Sequence, residues 1–392
     1  MRLAFYAPMK PPGHPTPSGD RRMARLLVRA LEEAGHEVEL ASEFRSREPA
    51  GDPARQSAMA DEAGREAARL IAAYAALPPA DRPKAWFTYH AYYKAPDWIG
   101  PRVAAALSIP YLLAEASLAP KRAEGPWAIG HEATLAAIGT ADRLFVINPA
   151  DRACLLQVVG DPARLVDLPA FLDTGPYRQA ATERAVHRRQ LGERHAIAAG
   201  SPWLLAVAMM RPGDKLASYR IMGQSLMLLR ERDWHLLVVG DGPAASDVRA
   251  ALDPLGAERV SYLGHISEAE LPACYAAADL LCWPAVNEAY GMALLEAQAA
   301  GLPVVAGATG GVPAIVDDGV TGILVPPGDP EAFAEALAAL IDQPARRVAM
   351  CAAALDRTMR RHHIASASRV LGQILESVAG AAFEPRRHTA LG

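Results

Sequence analysis

Short apolar runs alternate with stretches whose apolar positions recur at helical spacing, which is how a parallel α/β sheet is written. The first half predicts strands over residues 3–7, 38–41, 85–89, 110–114, 144–147 and 165–168. Between the first two lies a loop rich in Pro and Gly, residues 8–19, and then a helix from about Asp20. Its positions Met23, Leu27, Ala30, Leu31 and Ala34 share one face, and Gly35 closes it. Residues 43–56 read as polar and irregular, and residues 59–76 as an Ala-rich helix. A second series predicts strands over 203–208, 236–239, 260–263, 280–283, 304–306 and 322–325.

Two such series make two doubly wound domains, expected at residues 1–180 and 201–355. Residues 181–200 carry Arg184, Arg188, Arg189 and Arg194 with few large apolar side chains, and read as a linker with an exposed helix. A helical stretch of about 347–378, interrupted by Arg357, Arg360 and Arg361, supplies a terminal helix over 356–380, and 381–392 read as a disordered tail. The 392 residues exceed one ordinary core, and 51% hydrophobic with 21% charged residues is a folded composition. A net charge of −4 argues against nucleic acid as a partner. Cys154, Cys274, Cys282 and Cys351 show no paired spacing, so buried free thiols in a reducing compartment are expected. Neither a signal peptide nor eighteen uninterrupted apolar residues is visible, so the expected location is cytoplasmic. Peripheral membrane contact stays open, since the two arginine clusters face either anionic lipid or, more simply, solvent.

The densest chemistry lies in residues 281–301, an apolar strand, a Pro turn and a helix expected to open at Glu288 and to carry Glu296. A buried Glu among Leu294, Leu295, Ala297 and Ala299 is costly without a partner. On one helix the two acids would stand about 12 Å apart along the axis. The first-turn amides of Ala289, Tyr290 and Gly291 would form an anion site between them. Acid, amides, acid suits a sugar joined through a diphosphate to a nucleoside. Arg211 and Lys215 follow the first strand of the second series, where open α/β sheets bind ligands and two cations can hold a diphosphate without a metal. The plainer readings are solvated loop charges for these two and a helix-terminal acid for Glu288.

Glu288 and Glu296, seven residues apart and followed by Ala300, Gly301, Leu302, Pro303, Val304 and Val305, resemble the E-x7-E element of glycosyltransferase family 4. Gly310, Gly311, Val312, Pro313 and the run 316–325 extend the likeness. The resemblance implies a retaining, nucleotide-sugar-dependent enzyme of the α/β GT-B fold. Two doubly wound Rossmann-like domains would face each other across a cleft, with the C-terminal helix crossing back to the first. It further implies that Arg211 and Lys215 stabilise the departing diphosphate, with three residues between them where four are usual. Glu288 would contact the donor sugar and Glu296 the ribose, while Tyr290, Gly291 and Met292 wrap the diphosphate. Gly240 would lie near the nucleotide and His265 near the base, unless His265 only caps the next segment. Gly19, beside Ser18, would line the cleft. Glu115 stands where relatives carry a first-domain His, leaving Glu115 and His90, with His131 further on, as acceptor-side candidates. Residues 240–245 also fit a dinucleotide turn, but the next strand ends in Gly264 and His265 rather than an acid.

The expected activity is transfer of a hexosyl group from a nucleotide diphosphate sugar to a hydroxyl acceptor, which is a glycan, a lipid-linked molecule or a small molecule. No metal or resident cofactor is expected. A sugar-nucleotide epimerase of the same fold, a non-catalytic sugar-nucleotide-binding partner and a nicotinamide dehydrogenase are the alternatives.

Overall fold

The computed structural model describes residues 1–16, 18–198 and 200–381. It divides into two compact units, Met1–Pro169 with the segment from Ile364, and Ala170–His363.

Unit 1 runs β1 (Arg2–Tyr6), α1 (Gly19–Glu33), β2 (Glu37–Ser42), α2 (Pro53–Ala76), β3 (Ala85–Tyr92), α3 (Gly100–Leu107), β4 (Tyr111–Ser117), α4 (Ala128–Thr140), β5 (Arg143–Val146), α5 (Arg152–Val159) and β6 (Leu165–Asp167). Its six strands are parallel in the order β2-β1-β3-β4-β5-β6. The central strands are buried on both faces, which is why they read as continuous apolar runs. Phe5 of β1 stacks on Phe87 of β3 at 5.8 Å between centroids, and Phe145 of β5 meets Phe87 tilted at 5.6 Å. Asp97 is 2% exposed, and burial pushes its carboxyl up. It accepts from the hydroxyls of Thr88 and Tyr111 and from the amides of Ile99 and Gly100, so no charge is stranded. Helix α2 starts six residues before the expected 59, because Asp52 accepts from the amides of Ala54 and Arg55 and Pro53 suits a first turn.

Unit 2 runs α6 (Gly175–Thr182), α7 (Arg184–His195), β7 (Trp203–Val207), α8 (Asp214–Met227), β8 (His235–Val239), α9 (Ala245–Leu252), β9 (Val260–Gly264), α10 (Leu271–Ala277), β10 (Leu280–Trp283), α11 (Met292–Ala299), β11 (Val304–Gly307), α12 (Val312–Ile315), β12 (Gly322–Val325), α13 (Pro330–Asp342) and α14 (Pro344–Arg361). Its parallel sheet has the order β12-β11-β10-β7-β8-β9.

The expected linker over 181–200 is largely helix α7, which belongs to unit 2. Arg184 and Arg188 point inward, pairing with Asp279 at 2.7 and 2.9 Å, and the Arg188 guanidinium lies 4.1 Å from the centre of the Trp203 ring. These two are packing residues, while Arg189 and Arg194 stay exposed. Arg357 likewise pairs with Asp317 and donates to the carbonyls of Ala314 and Ile315. The terminal helical stretch is two helices, α14 and then α15 (Ile364–Ala381), and the division falls after His363 rather than at 355. The break falls at His362, the C-cap of α14. That residue is 1% exposed, its Nδ1 bonds the Ala170 carbonyl at 2.7 Å, and its own carbonyl accepts from Leu172. The chain therefore leaves unit 2 beside the point where it enters. Helix α15 returns to unit 1 and packs on α1. The expected tail lies outside the described residues, except Ala381, which ends α15. Among the described residues no helix is long and apolar enough to cross a membrane.

Candidate functional site

In each sheet the strand order reverses once, between β1 and β3 in unit 1 and between β7 and β10 in unit 2. Loops leaving the carboxyl ends of such strands diverge and open a crevice. In unit 2 those loops carry Arg211 and Glu288.

The loop after β7 is laced to the turn after β8. Met210 donates its amide to the Asp241 carbonyl at 2.9 Å, and Ala244 donates to the Met210 carbonyl at 2.9 Å. Gly240 and Gly242 permit this contact. A Cβ on them would sit 1.9 Å from the Ala208 oxygen and 2.4 Å from the Met210 oxygen, and their φ of 139° and 152° suits only glycine. The chain then turns at Gly213 (φ 82°) into α8, so Lys215 falls in the first turn. Lys215 Nζ meets Glu288 Oε2 at 2.5 Å and stands 5.3 Å from the centre of the Trp283 ring, whose Nε1 donates to the same oxygen at 3.2 Å. Val286 donates to Ser218 Oγ and Asn287 to Asp214, fastening the Glu288 loop to the start of α8. Among the described residues, Glu288 Oε1 and the exposed Arg211 guanidinium have no partner.

The expected helix start at Glu288 is corrected. Ala285 and Asn287 hold left-handed conformations at φ 56° and 50°, and Gly291 at φ 79° is the cap residue, so α11 begins only at Met292. Glu288 lies in the preceding turn, and the two acids do not share a helix axis. The open amides belong to Met292 and the residue after it, not to Ala289 and Tyr290, and Gly291 has no side chain to bond them. Gly311 donates to the Ala289 carbonyl at 2.8 Å, and a Cβ on Gly310 would lie 2.0 Å from the Glu288 oxygen. The glycine pair thus closes on the turn from behind. Glu296 is 3% exposed and accepts from the buried Tyr275 hydroxyl at 2.8 Å, so it is not a surface acid. Tyr290 and Met292 are half-buried. His265 is exposed directly after Gly264, whose carbonyl accepts from Gly240 at 2.8 Å.

In unit 1, Gly19 opens α1, with Ser18 accepting from Arg21 as its cap. The proline loop before it is fixed by arginines, as Arg21 donates to the His14 carbonyl, Arg25 to Pro12 and Arg45 to Met9. His90 and Glu115 face each other across β3 and β4, both in the left-handed region at φ 61° and 57°. Paired strain of this kind persists only where the surroundings fix it. His90 Nδ1 lies 3.1 Å from Asp20 and 3.7 Å from Glu115. Burial opposes a charged imidazole, but the carboxylates of Glu115, Asp20 and Asp151 outweigh it and hold the pKa at about 9. His131 is 7% exposed on α4 and outside this cluster.

Residues 201–343 match the family described as glycosyl transferases group 1. The chain is 36% identical over 242 residues to the D-inositol 3-phosphate glycosyltransferase of Kineococcus radiotolerans, covering 56% of this chain and 54% of that protein. It is 29% identical over 218 residues to the alpha-D-kanosaminyltransferase of Streptomyces kanamyceticus, covering 55% of each. The chain thus spans about half the length of these curated relatives. Two solved structures share the fold across nearly the whole chain. Sucrose-phosphate synthase from Thermosynechococcus elongatus has a TM-score of 0.73 at 20% identity, covering 97% of this chain and 99% of that one. Anabaena Alr3699/HepE in complex with UDP-glucose has a TM-score of 0.69 at 16% identity, covering 96% and 100%. The fold is GT-B, with one Rossmann-like sheet in each unit.

The structure brings Lys215 and Glu288 into contact, sets Arg211 in the neighbouring loop, and keeps Glu296 apart in the interior. Sequence reasoning missed Trp283, Tyr275, Asp20 and Asp151. Trp283 ends a strand at the switch point and Asp20 follows Gly19, so position alone marks both as candidates. Tyr275 and Asp151 carry no local signal.

Proposed function

We propose that this chain is a family-4 type, retaining glycosyltransferase that moves a hexosyl group from a nucleotide diphosphate sugar to a hydroxyl acceptor. The observation that carries the reading is the Lys215–Glu288 pair at the switch point of unit 2, with Arg211 in the loop that leads from β7 into α8. A diphosphate needs cations and open amides, and Lys215, Arg211 and the start of α11 supply them. Glu288 Oε2 is engaged by Lys215 and Trp283, which leaves Oε1 to accept a hydroxyl of the donor sugar. On the family's pattern Glu296 takes the ribose hydroxyls, and His265, next to the Gly264 carbonyl that accepts from Gly240, takes the base.

As the bond from the anomeric carbon to the phosphate oxygen breaks, its electron pair passes to the diphosphate. The new bond forms to the acceptor oxygen, whose proton passes to the departing phosphate oxygen. Lys215 and Arg211 act on the growing negative charge, and need no metal to do so. Loss of one preorganised donor costs roughly 3–4 kcal/mol of transition-state stabilisation. The test is a sugar-transfer assay across UDP-, GDP-, ADP- and dTDP-sugars, with donors first ranked by thermal shift. Lys215→Ala is expected to lower turnover on the order of a hundredfold with the fold intact. Near-normal turnover of that variant refutes the reading.

A further inference from the structure

Unit 1 holds a second charged cluster that the reading above does not use. Tyr93 and Trp127 meet edge to face at 5.7 Å between ring centroids. Two cations lie over the same pair of rings. Lys94 Nζ is 5.0 Å from the Trp127 centroid and 5.7 Å from that of Tyr93, and the Arg122 guanidinium carbon is 4.6 and 5.6 Å away. Among the described residues neither cation forms an ion pair, and Arg122 Nε and Trp127 Nε1 are buried donors with no acceptor. Cation–π attraction contributes about 0.5–1 kcal/mol at exposed sites. Two like charges gathered on one indole also repel, so the arrangement gains from a bound anion.

The cluster is built before any ligand arrives. Glu48, 1% exposed, accepts from the amides of Ala50, Gly51 and Asp52 at 2.9, 2.5 and 3.1 Å. Its carboxylate is therefore spent on backbone, while its amide donates to the Lys94 carbonyl at 2.8 Å. Gly51, at φ 78°, lets the loop pass so close to Trp127 that a Cβ would lie 3.0 Å from the ring. Gln56 donates to the Pro126 carbonyl at 2.6 Å and accepts from Gly130 at 3.0 Å, fixing the Trp127 segment from the other side. Preorganisation of this kind lowers the cost of binding. Tyr93 and Lys94 directly follow β3, and ring contacts of 5.2 and 5.4 Å lead from His90 through Tyr92 to Tyr93. The cluster thus continues the switch-point edge of the sheet.

We propose that Lys94, Arg122, Tyr93 and Trp127 bind a phosphorylated sugar or cyclitol, the two cations taking the phosphate dianion and the aromatic pair taking one face of the ring. This deepens the proposed function by assigning the acceptor class, and it rests on unit 1 being the acceptor-binding half. Two cations match a phosphate monoester, which carries close to two charges at neutral pH, better than a monocarboxylate.

The experiment is isothermal titration of the full chain with glucose 6-phosphate and inositol monophosphate, against glucose, inositol and glucuronic acid. At least one phosphate is expected to bind tenfold or more tightly than its neutral parent and than glucuronic acid. Lys94→Ala and Arg122→Ala are each expected to weaken it tenfold or more, with Lys94→Arg recovering part of the loss. Equal binding of phosphate and neutral forms, preference for glucuronic acid, or unchanged affinity in both alanine variants overturns the proposal. UDP titrated into the same variants separates the two readings. Normal UDP binding with no phosphate preference sinks the acceptor assignment alone. Retained sugar-phosphate binding with no nucleoside diphosphate bound sinks the donor reading alone.

Discussion

The two switch points occupy equivalent places in two sheets of the same design and carry opposite electrostatics. In unit 2 a lysine meets one glutamate, and an arginine in the next loop has no partner among the described residues. In unit 1 a histidine is surrounded by Asp20, Glu115 and Asp151 and held in its charged form. Topology selects the place, and the loops select the chemistry. The unit 2 crevice suits an anion, whereas the one in unit 1 sets three acidic side chains against a single imidazolium and suits hydroxyls. On the reading above, charge recognition in unit 1 falls instead to the Lys94–Arg122 cluster beyond the end of β3.

The comparison breaks most severely where loop geometry is removed. Gly240→Ala forces a Cβ to within 1.9 Å of the Ala208 carbonyl at a φ of 139°. A loss of several kcal/mol is expected, roughly 3 or more, from backbone strain and displacement of the laced loops. Chemical denaturation checks it, and a loss under 1 kcal/mol would mean that the two loops are not interlocked.

The histidine sharpens the other side. His90 is held at about 9, above its ordinary 6.5, so its contribution to stability is fully present below pH 6.5. That contribution is lost as the pH rises through about 9. Unfolding free energy should fall across this window by on the order of 3 kcal/mol, and His90→Gln should flatten the profile there. A wild-type profile that is level from pH 6.5 to 9 would show that the carboxylates do not hold the proton. His362 has the opposite sign. Burial pushes it down to about 4, so its contribution is present above pH 6.5 and is lost as the pH falls through 4.

The smallest effect concerns Glu296. Tyr275→Phe removes one hydrogen bond to a buried carboxylate and should cost about 1–3 kcal/mol in stability. Nucleotide affinity should then fall only a few-fold. A larger loss of affinity than of stability would place the Tyr275 hydroxyl itself against the ligand.

Much of this organisation was legible in the residue pattern. Among the described residues all twelve strands fall on the runs that predict them, and the central ones do so because parallel strands buried on both faces cannot hide among polar residues. Arg211, Lys215 and Glu288 were findable because they sit at strand ends. The helix start was misplaced because apolar periodicity begins before the backbone permits a helix. Left-handed residues at 285, 287 and 291 delay it, and two of the three are not glycine. Arg184, Arg188 and Arg357 read as surface charge because their partners, Asp279 and Asp317, lie 40 to 95 residues away. The encounter of His90 with Asp20 and Glu115 depends on the order β1-β3-β4, which no local pattern encodes.

The central claim is that unit 2 grips a diphosphate through Lys215 and Arg211. Titration of UDP, GDP, ADP and dTDP into the wild-type chain and into Lys215→Ala and Arg211→Ala tests it most directly. At least one nucleoside diphosphate should bind the wild type, with each substitution weakening it tenfold or more and the corresponding nucleoside unaffected by either. Equal affinity in all three proteins would contradict the account.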